Sequence, residues 1–160
     1  MATWQEFEQQ APELAARVRA AFDAHVHKTM ATLRKDGSPR ISGTEVRFAE
    51  GELWLGSMPG ALKARDLLRD PRVALHSGSA VPDESDPGSW PGDAKVAGRA
   101  LEVRDPEVHS RLLPGPEFAD SHLFRVDLTE AVTVRVDMAR EGLVIDSWHE
   151  GRGVKSVFRK

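Results

Sequence analysis

Apolar positions near the start of the chain recur about every 3.6 residues. Trp4, Phe7, Ala11, Leu14, Val18, Ala21 and Phe22 form one stripe with charges between them, which predicts an amphipathic helix over residues 3–24. Thr3 and Glu6 have capping-box spacing at its start. Pro12 lies inside the stripe, so the helix either restarts there with proline as its first residue or kinks. From Lys28 the period shortens to two. Lys28–Arg34 reads as a strand, Lys35-Asp36-Gly37-Ser38 as a turn, and Pro39–Phe48 as the partner strand. On that second strand Ile41, Gly43, Glu45 and Arg47 share one face, and Ser42, Thr44, Val46 and Phe48 the other. Neither face is cleanly apolar, so this strand is expected to line something wet or functional. Leu53–Ser57 is a short apolar strand. Gly60 then opens a basic helix that Asp70-Pro71 ends, because proline disfavours a helical residue before it. Arg72–His76 is the next strand.

Residues 79–93 are rich in Pro, Gly, Ser and Asp, have no apolar period, and are expected to form a mobile loop. Ala94–Val103 reads as a strand. Asp105–Leu113 reads as a short helix with Asp105 as N-cap and Pro106 in its first turn. Three more strands are expected at Ser121–Leu128, Ala131–Met138 and Leu143–Trp148, with turns at Thr129-Glu130 and Ala139–Gly142. The tail from Gly151 is short and basic, and its glycines argue against a regular strand. No repeat or linker divides the chain, so residues 1–160 are expected to form one domain. So many strands with so few helices exclude a doubly wound parallel sheet. The expected class is mainly β, an antiparallel barrel with flanking helices.

Composition narrows the chemistry. The 160 residues are 40% hydrophobic and 29% charged, as in a globular protein, and carry a net charge of −3. That balance argues against nucleic acid as a partner. No apolar run is long enough for a membrane helix, and Glu6, Glu8 and Glu13 break any signal-peptide pattern. Cysteine is absent, which fits a reducing, cytoplasmic setting and excludes thiolate chemistry. The six histidines show no metal-ligand spacing, so no metal centre is expected. A P-loop, a dinucleotide-fold glycine fingerprint and a nucleophile elbow are all missing.

The segments ATLRKDGSPRISGTE, ELWLGS and GALKARDLLRDPRVAL, taken in order, resemble the FMN-binding split-barrel superfamily. That superfamily includes pyridoxamine 5'-phosphate oxidases and the flavin/deazaflavin oxidoreductases. The resemblance implies a split antiparallel β-barrel and a flavin-type oxidoreductase. It further implies a homodimer that binds FMN at its interface and moves hydride to or from a small organic substrate. In the superfamily the flavin phosphate is held by polar residues of the second strand, by the end of the third strand, and by a helix-start lysine. These correspond to Ser42 and Arg47, to Ser57 and to Lys63, with Thr44 beside them and Gly60 at the helix start. A helix N-terminus with a lysine one turn in suits an anion physically. The oxidases carry arginine where this chain has Ser42 and Leu62. The deazaflavin coenzyme F-420, or a protein that binds flavin without turnover, is therefore the alternative. The ending LVIDSWHEGRGVKSVFR loosely resembles the oxidase ending, which implies that Trp148, Arg152 and Arg159 approach flavin and substrate. His76 is a further candidate for a polar contact near the ring. No side chain is expected to act as an acid or base essential to hydride transfer, because the ring carries that chemistry.

Overall fold

A computed structural model describes residues 1–160. The N-terminal stripe forms two helices, α1 (Trp4–Gln10) and α2 (Pro12–Asp23). Thr3 caps α1 reciprocally: its Oγ1 accepts from the Glu6 amide at 3.1 Å, and the Glu6 carboxylate accepts from the Thr3 amide at 2.7 Å. The chain breaks at Ala11 and restarts at Pro12, where a missing N–H costs nothing. The next elements are β1 (Lys28–Leu33), β2 (Pro39–Thr44), β3 (Val46–Ala49), β4 (Glu52–Ser57), α3 (Leu62–Arg69) and β5 (Arg72–His76). Then come β6 (Asp93–Glu102), α4 (Pro106–Leu112), β7 (His122–Asp137), β8 (Gly142–His149) and β9 (Gly153–Arg159). Between β5 and β6 the only regular structure is a 3-10 turn at Pro87–Ser89.

All nine strands join one antiparallel sheet, in the order β2-β1-β5-β6-β7-β4-β3, with β8 on β7 and β9 on β8. The sheet curls so that its two ends, β2 and β3, are successive in the chain yet pair with different neighbours: β2 with β1, β3 with β4. Pro39–Phe48 is therefore two strands and not one. Glu45 lies between them, and the barrel is split there. Inside the curl, Trp4, Phe7, Leu14, Val18 and Phe22 of the helices pack against Leu53, Leu55, Val96, Phe124 and Val126 of the wall, all buried. Burial of these large side chains stabilises the fold by about 1.5–3 kcal/mol each before entropy is subtracted.

Two further expectations change. The pair Thr129-Glu130 is not a turn: β7 runs through it as one sixteen-residue strand. Along one edge it pairs with β6. Along the other its first half pairs with β4 and its second half with β8. Thr129 is an extra residue in a bulge, where the register shifts between Ala97 and Gly98 opposite. Its Oγ1 donates to the Ala97 carbonyl at 3.2 Å. Gly98 permits the bulge, because a Cβ there would fall 2.0 Å from the Asp127 carbonyl oxygen. Gly98→Ala is expected to cost about 2 kcal/mol or more by forcing the two backbones apart; denaturant melts will read it, and an unchanged midpoint would refute the packing argument. The tail also differs. Gly151 and Gly153, with φ of +72° and +70°, shape a tight turn, and β9 then pairs with β8 from Gly153 to Arg159.

Helix α3 ends at Asp70, whose carboxylate accepts from Arg72 Nη2 at 2.6 Å and from the Arg72 amide at 3.2 Å. The side-chain bonds from Arg72, then its amide, hold the Asp70 pKa down to about 2 from 3.8. A folded-state pKa below the unfolded value means that the unfolded chain binds more protons in this window. The contribution is thus present above about pH 4 and lost as pH falls toward 2. Asp70→Asn is expected to flatten the acid limb of the stability profile. Parallel wild-type and variant curves in denaturant titrations at stepped pH would contradict this.

Candidate functional site

The split in the barrel opens a cleft of about 670 Å³. Its polar side is built by the strand ends. Thr44 closes β2, Arg47 lies near the start of β3, Ser57 closes β4, and Lys63 sits in the first turn of α3. The alternation of β2 buries Thr44 and leaves Gly43 exposed, so the Gly43 carbonyl remains free at the sheet edge. Lys63 Nζ donates to that carbonyl at 2.6 Å, which ties α3 to the end of β2. Burial pushes the Lys63 ammonium below its ordinary pKa, and no carboxylate is paired with it to reverse the shift. Thr44 Oγ1 donates to the Glu45 carbonyl at 3.2 Å. Ser57 lines the cleft, and its hydroxyl is buried with no hydrogen-bond partner. A buried hydroxyl without a partner is costly to leave unpaired, so its hydrogen-bonding capacity at the cleft wall is unmet.

The opposite side is apolar. Met58 follows β4, and Leu112, Leu113, Pro114 and Phe118 come from the end of α4 and the loop after it. Asp105 caps α4 by accepting from the amides of Glu107 and Val108 at 2.9 and 3.1 Å. Arg47 Nη1 donates to the Leu112 carbonyl at 2.7 Å, so the arginine straps this wall to β3. Sequence reading missed the wall. Its signal was present as two adjacent leucines at a helix end followed by Pro-Gly-Pro, an apolar pair with no helix left to bury it. His27 also lines the mouth, with its Nδ1 3.7 Å from Glu45.

Of the eight positions expected to hold a cofactor, the structure brings Thr44, Arg47, Ser57 and Lys63 together. Gly60, at φ +70°, shapes the turn that leads into α3 without lining the cleft. Ser42 is half-buried on β2 and lies outside the lining. His76 is engaged elsewhere: its Nδ1 accepts from the Gly78 amide at 3.1 Å, and its Nε2 lies 3.3 Å from Asp93. Trp148 requires correction. It is fully buried, with its ring 4.9 Å from that of Phe7 and its Nε1 donating to Gln10 at 3.2 Å. It is a core residue with no face left for a flavin, because β8 turns its side chain under the N-terminal helices. Arg152 lies in the turn before β9 and Arg159 at its end, and neither reaches the cleft.

Nothing among the curated proteins matches the sequence. Solved structures match the fold. PhzG from Burkholderia lata 383, in complex with tetrahydrophenazine-1-carboxylic acid, is similar with a TM-score of 0.67 at 11% identity, covering 94% of this chain and 92% of that one. A conserved hypothetical protein of Mycobacterium tuberculosis, Rv2991, has a TM-score of 0.59 at 20% identity, with 72% and 81% covered. General Stress Protein 26 from Bacillus anthracis str. Sterne has a TM-score of 0.57 at 14% identity, with 74% and 91% covered. At these identities the likeness establishes the split-barrel fold. The family model described as pyridoxamine 5'-phosphate oxidase matches residues 14–135, from the second helix to the long strand that carries the barrel, and the chain belongs to that family.

Proposed function

We propose that the protein is a flavin-type oxidoreductase that binds FMN in the cleft of the split barrel. The observation that carries this reading is the pairing of a partly desolvated Lys63 with the unpartnered Ser57 hydroxyl on one side of a cleft whose other side is apolar. The polar side suits a phosphate, and the wall of Met58, Leu113 and Phe118 suits a flat ring system. The residues present therefore fit the group. Lys63 and Ser57 would hold the phosphate, with Thr44 close by. When bound, the flavin ring supplies the hydride-carrying chemistry. The chain's own contribution is to anchor, orient and keep water from the ring, with Arg47 holding the α4 wall in place.

The homodimer belongs to the same reading. Met58 lines the cleft and is 77% exposed, so a second copy laid over the mouth would cover both the ring and this side chain. The deazaflavin F-420 is the second reading. It is favoured by the single lysine on the phosphate side, since Leu62 occupies a position where the oxidases have arginine. Titration of the purified protein with FMN and with F-420, followed by absorbance and by reduction with dithionite, tests the proposal. Binding of FMN with reversible bleaching supports the first reading, and binding of F-420 alone the second. A protein that takes up neither, or that holds flavin without passing hydride to any acceptor, overturns the oxidoreductase reading.

A further inference from the structure

A second cleft, of about 620 Å³, lies on the other side of α3, between that helix and the β1–β2 turn. Its floor is a built charge network. The Asp66 carboxylate is buried and accepts from Arg40 Nε at 2.7 Å, Arg69 Nη2 at 2.8 Å and Thr32 Oγ1 at 2.9 Å. One carboxylate thus holds two guanidinium groups, and Arg69 is fixed further by its bond to the Leu33 carbonyl at 2.6 Å. Both arginines are oriented before any ligand arrives, while the local charge remains positive.

Three more cations line the same cleft. Lys35 and Arg65 are exposed, and neither enters an ion pair; Arg34 is bonded only to neutral oxygens of Ser38 and Pro39. The other acid, Asp36, is turned into the hairpin, where it accepts from the Ser38 amide at 3.0 Å and hydroxyl at 2.6 Å. The lining therefore carries a net charge of +3 within a chain whose net charge is −3. Gathering cations this way is unfavourable in the empty protein, and an anion relieves it.

We propose that this cleft is a second ligand site, separate from the one in the split barrel, that binds a compact polyanion of the phosphate or polycarboxylate class. Helix α3 stands between the two sites: Lys63 lines the first, and Leu62 and Arg65 line the second. The shared oxyanion chemistry is offered by a free anion and by the far end of a ligand whose other end lies in the first cleft.

The test is calorimetric titration of inorganic pyrophosphate into the full chain at low salt. The comparison is with an Arg34→Ala/Arg65→Ala double variant, whose replaced side chains make no contact with Asp66. The expected result is binding that weakens at least tenfold in the double variant, with its melting temperature unchanged, and that weakens further with added salt. Pyrophosphate that binds equally well with saturating FMN or F-420 present is a free anion. Pyrophosphate displaced by F-420 but not by FMN, and still weakened by the double variant, marks the far end of a longer ligand. Absence of binding to the wild type, or equal affinity in the double variant, overturns the site. Binding abolished by Lys63→Ala but not by the double variant places the anion in the first cleft and overturns it equally.

Discussion

Replacing Lys63 by alanine is expected to weaken FMN binding by about ten- to a hundredfold, with little change in melting temperature. A hydrogen bond to a charged group contributes about 1.5–3 kcal/mol, and each 1.4 kcal/mol is about tenfold in affinity. The fold should tolerate the change because Lys63 makes one bond, to the Gly43 carbonyl, and burial already disfavours its charge. In the free protein the lysine pKa lies below its unfolded value, so protonation at this site opposes folding slightly at neutral pH. An anion supplies the missing counter-charge. FMN affinity should accordingly decline as pH rises into the alkaline range, and it should begin to do so below the pH at which a free lysine titrates. Fluorescence-quenching titrations of wild type and variant across pH will show both effects. An unchanged Kd in Lys63→Ala removes this residue from the phosphate site.

Asp66→Ala is expected to be the most destabilising of the changes considered, lowering the melting temperature by about 6–12 °C. Removing one partner of a buried ion pair costs about 3–5 kcal/mol, and each kcal/mol moves the transition of a protein this size by about 2–4 °C. The lower end applies, because the Arg69 side chain is 38% exposed and rehydrates when released. Burial is the largest influence on the Asp66 pKa and raises it. The bonds from Arg40, Arg69 and Thr32 together outweigh it and hold the group below the usual carboxylate range. The stability it contributes is present above the unfolded aspartate pKa, near 3.9, and fades as pH falls below it. The variant should therefore lose most at neutral pH and converge on wild type in acid. Scanning calorimetry at both ends of that range is decisive: a fall below 2 °C at neutral pH would mean that the network does not tie α3 to β1 and β2.

The parts of the fold that were legible depend on residues close in sequence. Thr3 with Glu6, and Asp105 with Pro106, marked helix starts because caps join residues three apart. The Asp70-Pro71 stop, the β1–β2 hairpin and the barrel class follow from local backbone preference and period. The helix-start lysine was legible for the same reason; Thr44, Arg47 and Ser57 were named through the resemblance to the split-barrel superfamily, and the structure places them along one cleft. Pro39–Phe48 was misread as one strand because its alternation continues unbroken through Glu45, where the chain changes partners. Thr129 looked like a turn because the residues across from it, Ala97 and Gly98, lie some thirty positions away and are what make it a bulge. Trp148 looked like a ring contact because the chain's ending loosely resembles the oxidase ending, and such a likeness does not say what covers the side chain.

The amino-acid sequence by itself determined the helix starts and stops, the β1–β2 hairpin and the antiparallel class, because those properties arise from backbone preference and spacing over a few residues. Only the tertiary structure decided where the barrel splits, that Trp148 belongs to the core, that Leu112 to Phe118 wall the cleft, and that Asp66 gathers arginines from β2 and α3. Each of those depends on contacts between segments far apart in the chain, and burial and charge pairing take their value from the neighbour that folding brings.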